Sequence, residues 1–252
     1  MNNIIYYQWR GGMLIPRHFC WTRFGTEAGE SIGQILKRKE DERRANGGLF
    51  LWGIGNAVGP SMRELIRRES SPEVVFSPIH SKPRKEDLEP AQIVAWTAGR
   101  TLGGKLYDLP RGSLVTSRAI SDKRKQKHYA LVCGSAQPLQ VRENAEAIPF
   151  SQLRNLLTDR RIGASQVTAI VRLADKHLDN TSLEYAVAIR AELVFPYFIE
   201  LIDPIPMPHF LGSDTNAEQM KYADPGGYLQ WLKERYAQRD FPCAKMQYGF
   251  SF

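Results

Sequence analysis

Cysteine is the first shortage in this chain. Only Cys20, Cys133 and Cys243 occur in 252 residues, far apart and odd in number. That argues against a disulfide frame and a zinc site, and fits reduced thiols in a cytosol. Long apolar runs are missing as well, none approaching the roughly 18 residues of a membrane span. The start, "MNNIIYYQWRGGMLIPRHF", has no charged region followed by a long apolar core, so no secretory leader is expected and the expected location is cytoplasmic. Signature loops are absent: no GxxxxGK[ST], no GxGxxG after a strand, no HExxH and no GxSxG. "GRTLGGK" (99–105) has the wrong spacing for a phosphate loop. His18, His80, His128, His177 and His209 form no pair at metal spacing. Acids are sparse in the apolar segments, and Glu192, Glu200 and Asp203 fall on or near one late strand. A metal-dependent nuclease needs several converging carboxylates. No metal and no cofactor is therefore expected.

What the chain does have is positive charge, unevenly spread. The net charge is +7, with 34 Lys and Arg against 27 Asp and Glu. Residues 1–128 hold 22 basic and 13 acidic residues, a net of +9, while residues 129–252 hold 12 and 14, a net of −2. A polyanion is a natural partner for the first half. The basic loop "SDKRKQKH" (121–128) carries Lys123, Arg124, Lys125 and Lys127. With Lys82, Arg84, Lys85, Arg111 and Arg118 on neighbouring connections, it is the expected phosphate contact; its other reading is a solvated hairpin tip. The run "KRKEDERR" (37–44) reads as the solvated face of a helix with i,i+4 ion pairs.

Pattern and punctuation predict a mixed α+β domain of about seven strands with a few helices. Strands are expected at 13–24, 49–54, 73–79, 91–98, 113–120, 128–141, 165–174 and 183–202. Helices are expected from about 27 to the Asn46-Gly47-Gly48 stop, from Pro60 to Glu69, over 149–161 and over 226–238. The strands do not alternate regularly with helices, which favours a small curved, mostly antiparallel β-barrel with flanking helices over a doubly wound sheet. Residues 1–205 are expected to form one domain, with 206–252 a C-terminal helical extension on it.

The stretch "GGLFLWGIGNAVGP" (47–60) sets Trp52 beside unusually bare backbone. An aromatic wall, the amides of Gly53 and Gly55 and the paired donor and acceptor of Asn56 suit a planar heterocycle that stacks and hydrogen-bonds. The same residues suit a core Trp and a tight turn into a helix. Downstream, "VVFSPIHSK" (74–82) ends an apolar strand in Ser77, His80, Ser81 and Lys82; "IVAWTAGR" (93–100) and "YALVCGSAQPL" (129–139) follow.

That order resembles the EVE domain of the PUA-like superfamily, kin of the YTH and ASCH domains. "LWGIGN" corresponds to the family's W-x-G-[VI]-R-N-like turn, with Gly55 where Arg is frequent. "VVFSPIHS" corresponds to its next strand and "ALVCGSAQPL" to a later small-residue strand. The likeness spans about residues 13–205. It implies a curved β-barrel that reads a base, modified or flipped, in an aromatic pocket at its mouth, with no catalytic apparatus. Carried onto this sequence, Trp52, Gly53, Asn56, Ser77 and His80 would line the pocket. Trp21 and Trp96 are further candidate walls from their own settings. The implied partner is nucleic acid, DNA or RNA. Two other readings stay open: a nucleic-acid or nucleotide processing enzyme using His80, His128 or Tyr129, and a protein–protein adaptor of mobile-element or phage origin that docks through the Pro-rich segment 203–208.

Overall fold

The computed structural model describes residues 6–8, 14–27, 30–55, 57–79, 92–109, 114–117, 127–141, 147–174 and 184–206. The elements are β1 (Tyr6–Gln8), β2 (Leu14–Pro16), β3 (His18–Phe24), α1 (Ile32–Ala45), β4 (Leu49–Ile54), α2 (Gly59–Arg68), β5 (Glu73–Pro78), β6 (Gln92–Thr101) and β7 (Leu106–Tyr107). They continue with β8 (Leu114–Ser117), β9 (His128–Gly134), β10 (Ala147–Pro149), a short 3-10 turn (Phe150–Gln152), β11 (Leu153–Asn155), β12 (Thr168–Leu173), β13 (Glu184–Ala186) and β14 (Ile189–Pro206). The architecture is mixed α+β: a large, mostly antiparallel sheet and two helices. The expected helix at 226–238 and the rest of the extension beyond Pro206 lie outside the described residues. No described helix is long and apolar enough to cross a membrane.

Ten strands make the main sheet, in the order β11-β12-β3-β5-β14-β6-β7, with β9 beside β14, β4 beside β9 and β8 beside β6. Only β3 and β5 pair in parallel among the described ladders. A parallel pair needs a crossover, and α1, β4 and α2 supply it. β14 holds the rest together. Its first residues pair with β5, Ile189 opposite Phe76. Glu192 and Leu193 already pair with β9, and after a register shift between Leu193 and Phe198 the later residues pair with β9 on one side and β6 on the other.

The sheet curls around its main core. Phe24 from β3, Trp52 from β4 and Phe76 from β5 meet edge to face, with ring centroids 5.5 Å apart for Phe24–Trp52 and 4.6 Å for Trp52–Phe76. No ladder joins β4 to β3 among the described residues, so the sheet is curled but not shown closed into a barrel. α1 adds Ile35 and Leu36 to this core, and α2 adds Met62 and Leu65. The opposite faces are covered as well. Phe19, Trp21, Val75 and Val171 form a second cluster with Ile148, Leu153 and Val187, and Leu51, Trp96, Ala130, Val132 and Ile199 a third. Strands buried on both faces read as continuous apolar runs, which is why "YALVC" and "EVVF" show little alternation.

The helix expected over 149–161 is not formed. Leu153 and Leu156 lie in different clusters, and Leu157 is exposed. Those are the two faces of an extended segment, which an apolar i, i+3, i+4 pattern imitates over so short a run. Asn155 ends it: its Oδ1 accepts from the backbone N–H of Leu157 and of Thr158, both at 3.0 Å, and Asp159 sits at φ 57°. Asn and Asp side chains compete with helix in this way.

The polar run of α1 also departs from expectation. Ser31 caps the helix in a reciprocal box with Gln34, and Gly48 at φ 102° turns the chain into β4, where its close approach to Ser135 O leaves little room for a side chain. Yet Arg38, Lys39 and Glu42 are buried rather than solvated. Arg38 grips Glu30 with two hydrogen bonds, 3.1 Å from Nε and 2.8 Å from Nη2. Glu42 accepts from Lys39 Nζ at 2.7 Å and from Leu51 N–H at 2.8 Å. Since β4 pairs with β9 on its other side, Glu42 satisfies a backbone donor on the strand edge and a buried ammonium together. Burial pushes the Lys39 pKa down, and Glu42 opposes that. Nearby, Glu40 accepts from Arg43, Arg44 and the backbone of Leu139, while Arg43 Nη1 donates to Ser135 O at 3.0 Å, tying α1 to the segment after β9. The Arg43 hydrogen bonds are the largest cause that brings the Glu40 carboxyl to about 2.

Two outcomes follow. Glu42→Ala leaves Lys39 buried without its counter-charge and the Leu51 amide unpaired, and urea unfolding at neutral pH should show a loss of about 3–5 kcal/mol. The double variant Lys39→Met, Glu42→Gln keeps an acceptor for Leu51 without the charge and should lose less. Glu40 has a folded pKa of about 2 against 4.5 for the free group. Its contribution is complete above pH 4.5 and fades as pH falls towards about 2. An acid titration of stability should therefore be shallower over that window in Glu40→Gln than in the parent.

Candidate functional site

Three chain reversals leave the sheet close to Trp52. Phe24, the last residue of β3, touches the Trp52 ring, and its carbonyl accepts from Ile79 N–H at 2.7 Å just beyond β5. Gly25 allows this approach, because a Cβ there would stand 3.3 Å from Ile79 O. β4 itself ends at Ile54, and Gly55 is exposed with open space around it. The connections after β3, β4 and β5 thus start from one end of the main core. Asn56 and His80, which begin two of those connections, lie outside the described residues.

Trp52 is 8% exposed and belongs to the main core. Gly53 is half-buried opposite Ala130 in β9. Ser77 is fully buried on the other face of β5 from Phe76, where it accepts from Trp21 Nε1 at 3.0 Å. Trp21 is enclosed by Tyr185 at 5.1 Å and by the Arg23 guanidinium at 5.8 Å from its ring centroid. Trp96 lies in the third cluster against the His128 ring, 4.9 Å away, and its Nε1 has no hydrogen-bond partner among the described residues. The structure therefore distributes Trp21, Trp52 and Trp96 over three separate clusters and does not assemble them into one cage. The reason is strand alternation: Trp21 and Trp52 face opposite sides of the curled sheet, each where its strand turns an apolar side inward.

The other chemistry is equally dispersed. Burial lowers the His128 pKa, and Tyr129 stacks on Phe198 at 5.4 Å. Cys20 and Cys133 are buried, and burial pushes both thiols up, away from a reactive thiolate. No group of three His, Cys, Asp or Glu that could hold a metal occurs among the described residues. Of the expected phosphate contacts, Lys127 pairs with Glu200 at 3.1 Å. Lys82, Arg84, Lys85, Arg111, Arg118, Lys123, Arg124 and Lys125 lie outside the described residues.

No protein-family model, no curated protein and no solved structure matches this chain. Its chemistry has to be read from its own residues.

One constellation escaped the sequence pattern. Arg161 bridges to Arg154, Arg154 lies directly opposite Arg172, and Arg172 lies opposite His18. Four chain segments thus place a basic side chain on one lateral row. The row is on the face that α2 covers, beyond its C-terminal end: Glu69, which follows the helix, holds His18 Nδ1 at 2.6 Å. Arg172 Nε donates to Asp159 Oδ1 at 2.6 Å. Arg154 and Arg160 make no ion pair among the described residues. The signal available in the sequence was the run "DRR" at 159–161, which a helical reading assigned to a helix end.

Ser77→Ala should orphan the Trp21 indole N–H and lower stability by about 1–3 kcal/mol in urea unfolding. A binding defect without that loss of stability would instead assign Ser77 to ligand contact.

Proposed function

We propose that this protein is a nucleic-acid-binding reader of the PUA-like kind, its curled sheet a barrel that holds a base at the end where β3, β4 and β5 give way to their loops. The observation that supports this most is the start of those three connections near Trp52, with open space at Gly55 three residues along the chain. An aromatic ring with an open glycine amide near it suits a base that stacks and hydrogen-bonds. Asn56 and His80, one residue beyond the described ends of their segments, are the polar readers in this proposal. Trp21 and Ser77 serve the second core and are not part of the pocket. The excess of basic residues in 1–128 supports a polyanionic partner.

The test is fluorescence anisotropy with the full chain and short DNA and RNA oligonucleotides, unmodified and carrying single modified bases. Trp52 is structural too, and its truncation to Ala would cost about 3–5 kcal/mol of folding. Trp52→Phe, Asn56→Ala and His80→Ala are therefore the informative variants. The expected result is a preference for one modified base that these variants reduce by about 1–3 kcal/mol, with background binding unchanged. A preference that survives all three, or none to begin with, would sink the base-reading claim.

A further inference from the structure

Cross-strand neighbours of like charge are unfavourable, yet this chain makes two in succession, Arg161–Arg154 and Arg154–Arg172. Elsewhere in the described residues basic side chains sit against acids. Arg38 is matched to Glu30, Lys39 to Glu42, Arg43 and Arg44 to Glu40, and Arg190 to Glu73. Beside the row, Asp159 is held by Arg172. Edge strands do carry charge to discourage pairing, and β11 is an edge. That accounts for Arg154 alone, because Arg172 sits on β12, one strand further in.

The geometry is that of a built surface. At about 4.8 Å between strands, Arg161, Arg154, Arg172 and His18 span roughly 14 Å in a line. Asn155 ties down the adjoining turn with its two side-chain hydrogen bonds and a backbone bond from its N–H to Arg160 O at 2.8 Å. Arg160 and Arg161 therefore stand on fixed backbone. Arg67 and Arg68 close the last turn of α2, just before the Glu69 that holds His18; both pair with Glu64 on the helix surface, and Arg67 is 70% exposed. Arginine presents a planar set of donors that suits phosphate oxygens.

We propose that this arginine row, Arg172–Arg154–Arg161 with Arg160 and the end of α2, is the track that holds the phosphate backbone of a nucleic acid. It rests on the nucleic-acid reading above and moves the principal phosphate contact from the loops at 82–127 to the β11–β12 edge. A line of cations at regular spacing matches a polymer of evenly spaced negative charge. Contacts of this kind hold and orient the strand without reading its sequence.

The experiment measures anisotropy of a labelled single-stranded RNA and of a duplex DNA with the full chain at about 50 and about 200 mM salt. The variants are R154Q/R160Q/R161Q and R154K/R160K/R161K, each checked by thermal melting. The glutamine variant should bind every sequence at least about tenfold more weakly at low salt, with a salt slope smaller by about 0.7–0.9 for each phosphate no longer neutralised. The lysine variant should recover most of the affinity. If the triple variant melts early, R154Q/R160Q makes the same comparison on two side chains without ion pairs among the described residues. Parent-like affinity and slope in the glutamine variants, with the parent binding, would overturn the row and leave the nucleic-acid reading intact. A parent that binds neither RNA nor DNA at low salt would remove that reading and the row with it. Binding to poly-glutamate as tight as to RNA, abolished in the same variants, would assign the row to an acidic protein and overturn the proposal.

Discussion

The register shift in β14 is the constraint on which the rest of the architecture depends. One strand of 18 residues serves two neighbourhoods because it changes partners partway along. Along one flank its first residues pair with β5 and its last with β6, while β9 pairs with it on both sides of the shift. β14 thereby links the strand that carries Phe76 to β9, whose other neighbour β4 carries Trp52, and these two rings meet in the main core. The helices fit into the resulting hollow. Glu42 then fastens α1 to the edge of β4 through the Leu51 amide.

Much of this was legible in the sequence. Asn46-Gly47-Gly48 marks the end of α1, Pro60 the first turn of α2, and the apolar runs at 49–54, 73–79 and 128–134 the strands, because glycine, proline and β-branched residues act locally. The failures have other causes. Residues 149–161 carry an apolar spacing that fits a helix or two faces of a strand, and Asn155 and Asp159 decide the matter through hydrogen bonds that periodicity does not record. The polar run of α1 looked solvated because a buried ion pair needs a partner from elsewhere, here Glu30 and the β4 backbone. The aromatic cage failed to assemble for a topological reason: Trp21, Trp52 and Trp96 are separated by strand alternation and sheet curvature, which one sequence does not specify. The arginine row was invisible for the same reason, being a lateral alignment of residues 18, 154, 161 and 172.

The charges divide into two populations. Inside and beneath the helices, cations are matched closely by acids, often with two hydrogen bonds each. At the β11–β12 edge, Arg154 and Arg160 have no such match among the described residues. Paired charges of the first kind fix register and helix placement. Of the second kind, Arg160 is exposed and Arg154 half-buried, and neither is fixed by an acid among the described residues.

The place of β14 in the chain has a consequence for synthesis. It is the central strand of the sheet and also the last described one, and β3, near the start, finds its neighbours only in β5 and in β12, well over a hundred residues later. At about 5–20 residues per second, roughly 10–40 s separate the synthesis of β3 from that of β14. Until then β5 and β9, once made, lack the strand that lies between them. Unpaired strand edges of that kind are exposed to misassembly until the last strand arrives.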